Sequence, residues 1–317
     1  GKQPAKPAPP AAQSAKTAAA SWPTAKAAPP QISGRWLLLA VSAVFAAAAV
    51  CAWGALCLLF WQGSWQLLYH PSSTVARTPA SIGLPFDPIG FATTGSGLPR
   101  LNGWWVPAAS GSRLGRYTVL HLHGQNGNLG DTVDHLAQLH AAGVNVLAFD
   151  YRGYGRSRFA HPTEKRWLED AGWALQYLTA TRHIDPGAIV LDGSSLGADL
   201  ALELAASHPE LAGVVVESPL GDATGAIFGD ARTRLVPAHL LVSDRWDLAA
   251  PAAALRIPSL WFLPFPQSTA SNGLPENPEV FRKVSAPKMF VWLPPGQTTT
   301  VNFADELSRW LDSLQTR

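Results

Sequence analysis

Twenty-six consecutive residues, Trp36 to Trp61 (WLLLAVSAVFAAAAVCAWGALCLLFW), carry no charge, and few folds can hold such a run. As a helix it extends roughly 39 Å at 1.5 Å per residue, enough to cross a bilayer with some tilt. A buried core helix rarely stays apolar on every face for about seven turns. The apolar core of a cleaved secretory signal is shorter, about 7–15 residues. The run therefore reads as a membrane helix. Trp36 at one end, and Trp61, Trp65 and Tyr69 at the other, fall where interfacial aromatics are expected. Lys2, Lys6, Lys16, Lys26 and Arg35 precede it, whereas Arg77 is the only basic residue between Gln62 and Ser96. The positive-inside rule then puts the tail in the cytoplasm and the large C-terminal part outside it.

The chain on either side differs in kind. Residues 1–35 hold 11 Ala and 7 Pro with neither helical nor strand periodicity, which predicts a disordered tail. That tail has five basic residues and no acid, so the formal net charge of +2 leaves 2 − 5 = −3 for everything from Trp36 onward. A mildly acidic folded part excludes a nucleic-acid binder, which needs a basic stripe. The two cysteines, Cys51 and Cys57, both lie in the apolar run, which excludes a disulfide framework and a cysteine-ligated metal. The remaining chain is long and apolar enough for one substantial core. The expected partition is a tail over 1–35, a transmembrane helix over 36–61, a juxtamembrane segment over 62–80 and a folded domain over 81–317. Residues 218–256 are expected to form a cap-like segment.

Beyond the helix, strands and helices alternate, the signature of a parallel sheet covered on both faces. Strands are predicted over Tyr117–His123, Val144–Phe149, Ala188–Asp192, Gly213–Glu217, Ser259–Leu263 and Lys288–Trp292. Helices are predicted over Asp131–Ala142, Thr163–Thr181, Leu196–Ser207 and Val301–Leu314, and no repeat of 20 to 50 residues is evident.

Gly193-Ser194-Ser195-Leu196-Gly197 fits G-x-S-x-G between a predicted strand and a predicted helix. A serine in such a turn is lifted above the sheet, and the helix N-terminus behind it favours a developing oxyanion. Ser195 is the nucleophile candidate. His121-Leu122-His123-Gly124-Gln125-Asn126-Gly127-Asn128, at the end of an earlier strand, fits an oxyanion loop. Acyl transfer needs two backbone N–H donors, one after the nucleophile and one from this loop; those are Leu196 and Gln125. No metal or diffusible cofactor is implied. There is no ligand spacing and no phosphate loop, since Gly153-Tyr154-Gly155 lacks a third glycine and opens no helix.

Taken in order, Leu68-Tyr69-His70-Pro71, Gly103-Trp104-Trp105-Val106-Pro107, His123 to Asn128, Asp150 to Ser157, Gly193 to Gly197, Glu217-Ser218-Pro219 and Ser243 to Asp247 resemble the α/β-hydrolase superfamily. The likeness is to its membrane-tethered bacterial branch, related to lysophospholipases and depalmitoylases. It runs over roughly residues 66 to 314. The resemblance implies an α/β fold with a mostly parallel eight-stranded sheet, a serine nucleophile, and action on ester, thioester or amide bonds. It also implies the inner membrane, with the hydrolase domain on the periplasmic, extracytoplasmic side.

The same resemblance places an acid after the seventh strand and a histidine after the eighth. Gln267 stands in the acid's place and Gln297 in the histidine's. The nine histidines are His70, His121, His123, His135, His140, His161, His183, His208 and His239, so nothing C-terminal of His239 can serve as base. Glutamine does not titrate, and a serine hydroxyl without a base is a weak nucleophile. The sequence therefore points to an impaired hydrolase scaffold acting as a binding or accessory subunit of a membrane assembly. The small residues Ala49, Gly54, Ala55 and Cys57, or the Trp-rich segments 259–265 and 289–295, would meet a partner protein, and a lipid-like or acyl molecule would be the small ligand. The alternative is an active serine hydrolase that uses Ser195 with His123 or His161 as a rerouted base.

Overall fold

The structure is a computed structural model describing residues 1, 33–221, 223–264, 279–293 and 302–315. The chain divides into two compact units, Gly1–Ala52 and Trp53–Arg317. The apolar run forms helix α1 (Gly34–Gly63), in which no residue is buried against protein. The helix exposes Leu38, Leu39 and Phe45 along its length, and α1 is a candidate transmembrane span.

The second unit holds an eight-stranded sheet. Its strands are β1 (Asp87–Phe91), β2 (Leu101–Val106), β3 (Thr118–Leu122), β4 (Asn145–Asp150), β5 (Ile189–Ser194), β6 (Gly213–Glu217), β7 (Ser259–Pro264) and β8 (Lys288–Leu293). They lie in the order β8-β7-β6-β5-β3-β4-β2-β1. β2 runs antiparallel to both neighbours and every other pairing is parallel. This is the α/β-hydrolase arrangement that the motifs implied. The edge strand β1 has no counterpart among the strands read from the sequence, because Pro88 and Gly90 break its strand pattern, as an edge position allows.

Four helices cover the sheet: α2 (Val133–Ala141), α3 (Glu164–Gln176), α4 (Leu196–Ser207) and α5 (Phe303–Gln315). The strands sort their side chains with period two. Leu120, Leu122, Leu191, Val214 and Val216 pack with α3 and α4, whereas Val119, Val190, Val215 and Leu260 pack with α2 and α5. Strands buried on both faces read as continuous apolar runs, which is why they stood out in the sequence. The Thr163 hydroxyl caps α3 by accepting from Arg166 N at 3.2 Å. The α-helix predicted to Thr181 ends at Gln176 and continues as one wider π turn, Tyr177–Thr181.

The segment after α1 is packed into this unit. Leu68 and Tyr69 are buried. The Tyr69 hydroxyl donates to Asp244 Oδ2 at 2.6 Å and accepts from Trp246 Nε1 at 3.0 Å. Two motifs far apart in sequence, Leu68 to Pro71 and Ser243 to Asp247, thus fasten the segment to the cap region. The cap region itself carries short helices at Ala223–Phe228, Ala238–Leu241 and Ala249–Ala254.

Candidate active site

Ser195 sits between the end of β5 and the start of α4 with φ 55° and ψ −124°. A serine held at positive φ is strained and persists only where its surroundings fix it. The two flanking glycines make the turn feasible by close approach. A Cβ on Gly193 would overlap the Gly197 carbonyl oxygen, and one on Gly197 would overlap the Leu122 carbonyl oxygen of β3. Ser195 N donates to Glu217 O of β6 at 2.9 Å, which ties the turn to the neighbouring strand.

The loop after β3 is held equally firmly. Asn126 and Gly127 pair with His70 and Pro71 in a two-residue parallel ladder. Asn128 donates through Nδ2 to Ser72 O and Thr74 O, and its Oδ1 accepts from Gly130 N. Asp150 Oδ1 accepts from Leu129 N at 2.8 Å, and its carbonyl accepts from the Ser157 hydroxyl at 2.6 Å. The Asp150-to-Ser157 motif therefore acts as a brace for this loop. Burial lifts Asp150 to about 6, against the pull of the N–H groups of Leu129 and Arg156. The backbone carbonyl of Gln125 accepts from both His70 N and Tyr154 Oη at 2.9 Å.

With its backbone fixed, the Gln125 side chain turns onto the nucleophile. Its Oε1 accepts from Ser195 Oγ at 3.0 Å and from Leu196 N at 3.3 Å. A backbone N–H can only donate, so the amide atom facing Leu196 is the oxygen. Leu196 N is the donor that the sequence assigned to an oxyanion. That N–H is taken up by an amide carbonyl of the chain itself. The sequence reading gave Gln125 a backbone role; what the structure puts beside Ser195 is its side chain.

Neither histidine considered as a rerouted base hydrogen-bonds Ser195. His123 Nδ1 donates to Gly124 O at 2.8 Å, Nε2 lies 3.7 Å from Asp150 Oδ1, and the ring packs against Tyr151 and Tyr154. Burial pushes it down to about 3, only partly opposed by the Gly124 carbonyl, so it stays neutral. His161 stacks on Trp65 with ring centres 4.9 Å apart. It lines a groove of about 790 Å³ with Trp61, Trp65, Arg166, Val242 and Asp244, and Ser195, Gln125 and Leu196 are not among that groove's walls. Gln267 and Gln297 lie outside the described residues.

A second constellation was not singled out in the sequence. His121, Asp192 and Glu217, each near the C-terminal end of its strand, meet His135 of α2 on the α2/α5 face, beside the turn that carries Ser195. Its signal was the polar residue ending each of three apolar strands, in VLHL, IVLD and VVVE.

A family model described as serine aminopeptidase, S33, matches residues 115–316, well over half of the chain. An uncharacterized protein of Mycobacterium tuberculosis, Rv2307c, is 32% identical over 206 residues, covering 64% of this chain and 69% of its own. The uncharacterized YfhR of Salmonella typhi is 27% identical over 240 residues, covering 72% and 78%. Among solved structures, the esterase Pf2001 of Pyrococcus furiosus aligns with a TM-score of 0.57 at 19% identity, over 79% of this chain and 97% of its own. An α/β hydrolase of Vibrio vulnificus aligns with a TM-score of 0.54 at 21% identity, over 75% and 82%. At such identities these two likenesses show the fold.

Proposed function

Because this chain belongs to the serine aminopeptidase S33 family of α/β hydrolases, we propose that it is a membrane-anchored hydrolase scaffold with disarmed chemistry, acting as a binding or accessory subunit of a membrane assembly. One observation carries the reading: Gln125 Oε1 holds both the Ser195 hydroxyl and the Leu196 amide. An amide oxygen takes no proton near neutral pH, so this contact orients Ser195 without activating it. It also fills the anion site that would stabilise a tetrahedral intermediate. The glutamines at 267 and 297, where the family resemblance puts acid and base, point the same way.

In this reading α1 is a single pass through the inner membrane. The basic tail is cytoplasmic and the hydrolase domain extracytoplasmic, as the distribution of Lys and Arg favours. The groove between residues 59–66 and the cap is the place for a lipid-like or acyl ligand, since it combines Leu59, Trp61 and Trp65 with Arg166. The cap also touches α1, where Trp53 Nε1 donates to Leu235 O at 3.0 Å, and it exposes Leu235 and Leu240.

Labelling of the purified full chain with a fluorophosphonate serine probe tests the proposal. The parent is expected to stay silent, and a Gln267→Asp/Gln297→His double variant to gain labelling that a further Ser195→Ala change removes. Labelling of the parent that is lost in Ser195→Ala overturns the reading in favour of an active hydrolase with a recruited base.

A further inference from the structure

His121, His135, Asp192 and Glu217 come from four separate elements, β3, α2, β5 and β6. The sheet register sets three of them on one face. His121 pairs with Asp192, Glu217 pairs with Ser194, and each of the three alternates with a core valine at 119, 190 or 215. His121 Nδ1 and His135 Nε2 lie 2.7 and 2.8 Å from the same oxygen, Asp192 Oδ2, and Glu217 Oε1 is 3.3 Å from His135 Nε2. The side chains of His121, Asp192 and Glu217 are 1, 0 and 3% exposed. This cluster is incompletely satisfied. His121 Nε2 is buried and has no hydrogen-bond partner among the described residues. Buried polar atoms without partners are rare enough to call for an explanation.

We propose that His121, His135 and Asp192, whose ligand atoms all lie within 4.8 Å of one another, hold a divalent transition ion of the zinc class, with Glu217 beside His135. Two imidazoles and a carboxylate are a donor set suited to such an ion. Ligands bound at about 2.0–2.1 Å with tetrahedral angles stand about 3.3 Å from one another. The pairs that His121 and His135 make with Asp192 need to open by only about half an ångström. Three protein ligands leave the fourth position of a tetrahedral ion to water. The ion joins α2 to two strands, β3 and β5, next to the nucleophile turn: Asp192 lies three residues before Ser195.

The test uses the full chain in detergent, stripped with chelator and then dialysed against zinc or cobalt alone. One equivalent of zinc retained through gel filtration, a rise in Tm of about 5 °C or more, and the visible bands of four-coordinate cobalt are expected. Asp192→Asn and His121→Leu are each expected to lose the equivalent while keeping native circular dichroism. Absence of retained metal in the parent overturns the proposal, leaving an ion-free cluster held by two N–H···O bonds. Undiminished retention in the folded variants also overturns it, as do thiolate-to-cobalt bands, which would assign the ion to Cys51 and Cys57. If the variants fail to fold, the stoichiometry and cobalt spectrum of the parent decide.

Discussion

The side-chain oxygen of Gln125 stands 3.0 Å from Ser195 Oγ and 3.3 Å from the Leu196 N–H. On the function proposed above, the chain occupies its own oxyanion site, and an acyl ligand would first have to displace the amide. Each of the two hydrogen bonds holding the amide has a net worth of about 0.5–1.5 kcal/mol, so the site is open about a tenth of the time or less. In the Gln267→Asp/Gln297→His background, Gln125→Ala should therefore raise the rate of fluorophosphonate labelling about tenfold. The same change on the unmodified chain should leave labelling near zero, because it supplies no base. Rates measured by in-gel fluorescence check both halves.

Gly197 packs against the backbone of β3 so closely that a methyl group would overlap the Leu122 carbonyl oxygen. Backbone cannot swing aside as a long side chain can, and overpacking of this kind costs about 3 kcal/mol. Gly197→Ala should lower the urea midpoint accordingly. Gly172→Ala, whose added Cβ meets nothing within 4 Å, should be neutral or slightly stabilising as a helix-interior exchange.

Much of this was legible in the sequence because it rests on local pattern. The strands β3 to β7 are short apolar runs buried on both faces, and the Ser195 turn is punctuated by glycines that only a close approach requires. What escaped depends on side chains meeting across the fold. Gln125 reads as a backbone donor in a Gly-rich loop. Its actual use follows from the way His70 N and Tyr154 Oη hold its carbonyl and leave the side chain to face Ser195. His121 and Asp192 are 71 residues apart and become neighbours only through the register of β3 on β5. No spacing rule along one chain contains that contact.

Tyr69 links the juxtamembrane segment to the cap through a single hydroxyl that donates to Asp244 and accepts from Trp246. Tyr69→Phe keeps the ring packing on Trp167, whose centre is 5.4 Å away, but leaves a buried carboxyl oxygen and an indole N–H without this partner. The expected cost is about 1–3 kcal/mol. Hydrogen exchange should quicken in residues 243–247 more than in β5 or β6, because the lost contact holds the cap and not the sheet.

Asp199, in the first turn of α4, is fully buried, and its Oδ1 accepts from Leu220 N at 3.0 Å while Oδ2 has no partner among the described residues. Burial lifts its carboxyl to about 7, opposed by the N–H groups of Leu220 and Gly221. The folded value is above the unfolded one, about 3.8, so the fold favours the neutral form. The stability this gives is complete below about pH 4 and is lost as pH rises through about 7, a change of up to about 4 kcal/mol at 1.36 kcal/mol per unit. Asp199→Asn keeps the Oδ1 acceptor and cannot ionise. Urea midpoints taken at pH 5 and pH 8 should therefore fall less for Asp199→Asn than for the parent. A residual slope should remain from Asp150 and Asp170, whose carboxyls burial lifts to about 6. Equal slopes in parent and variant would mean that Asp199 is ionised in the folded chain across this range.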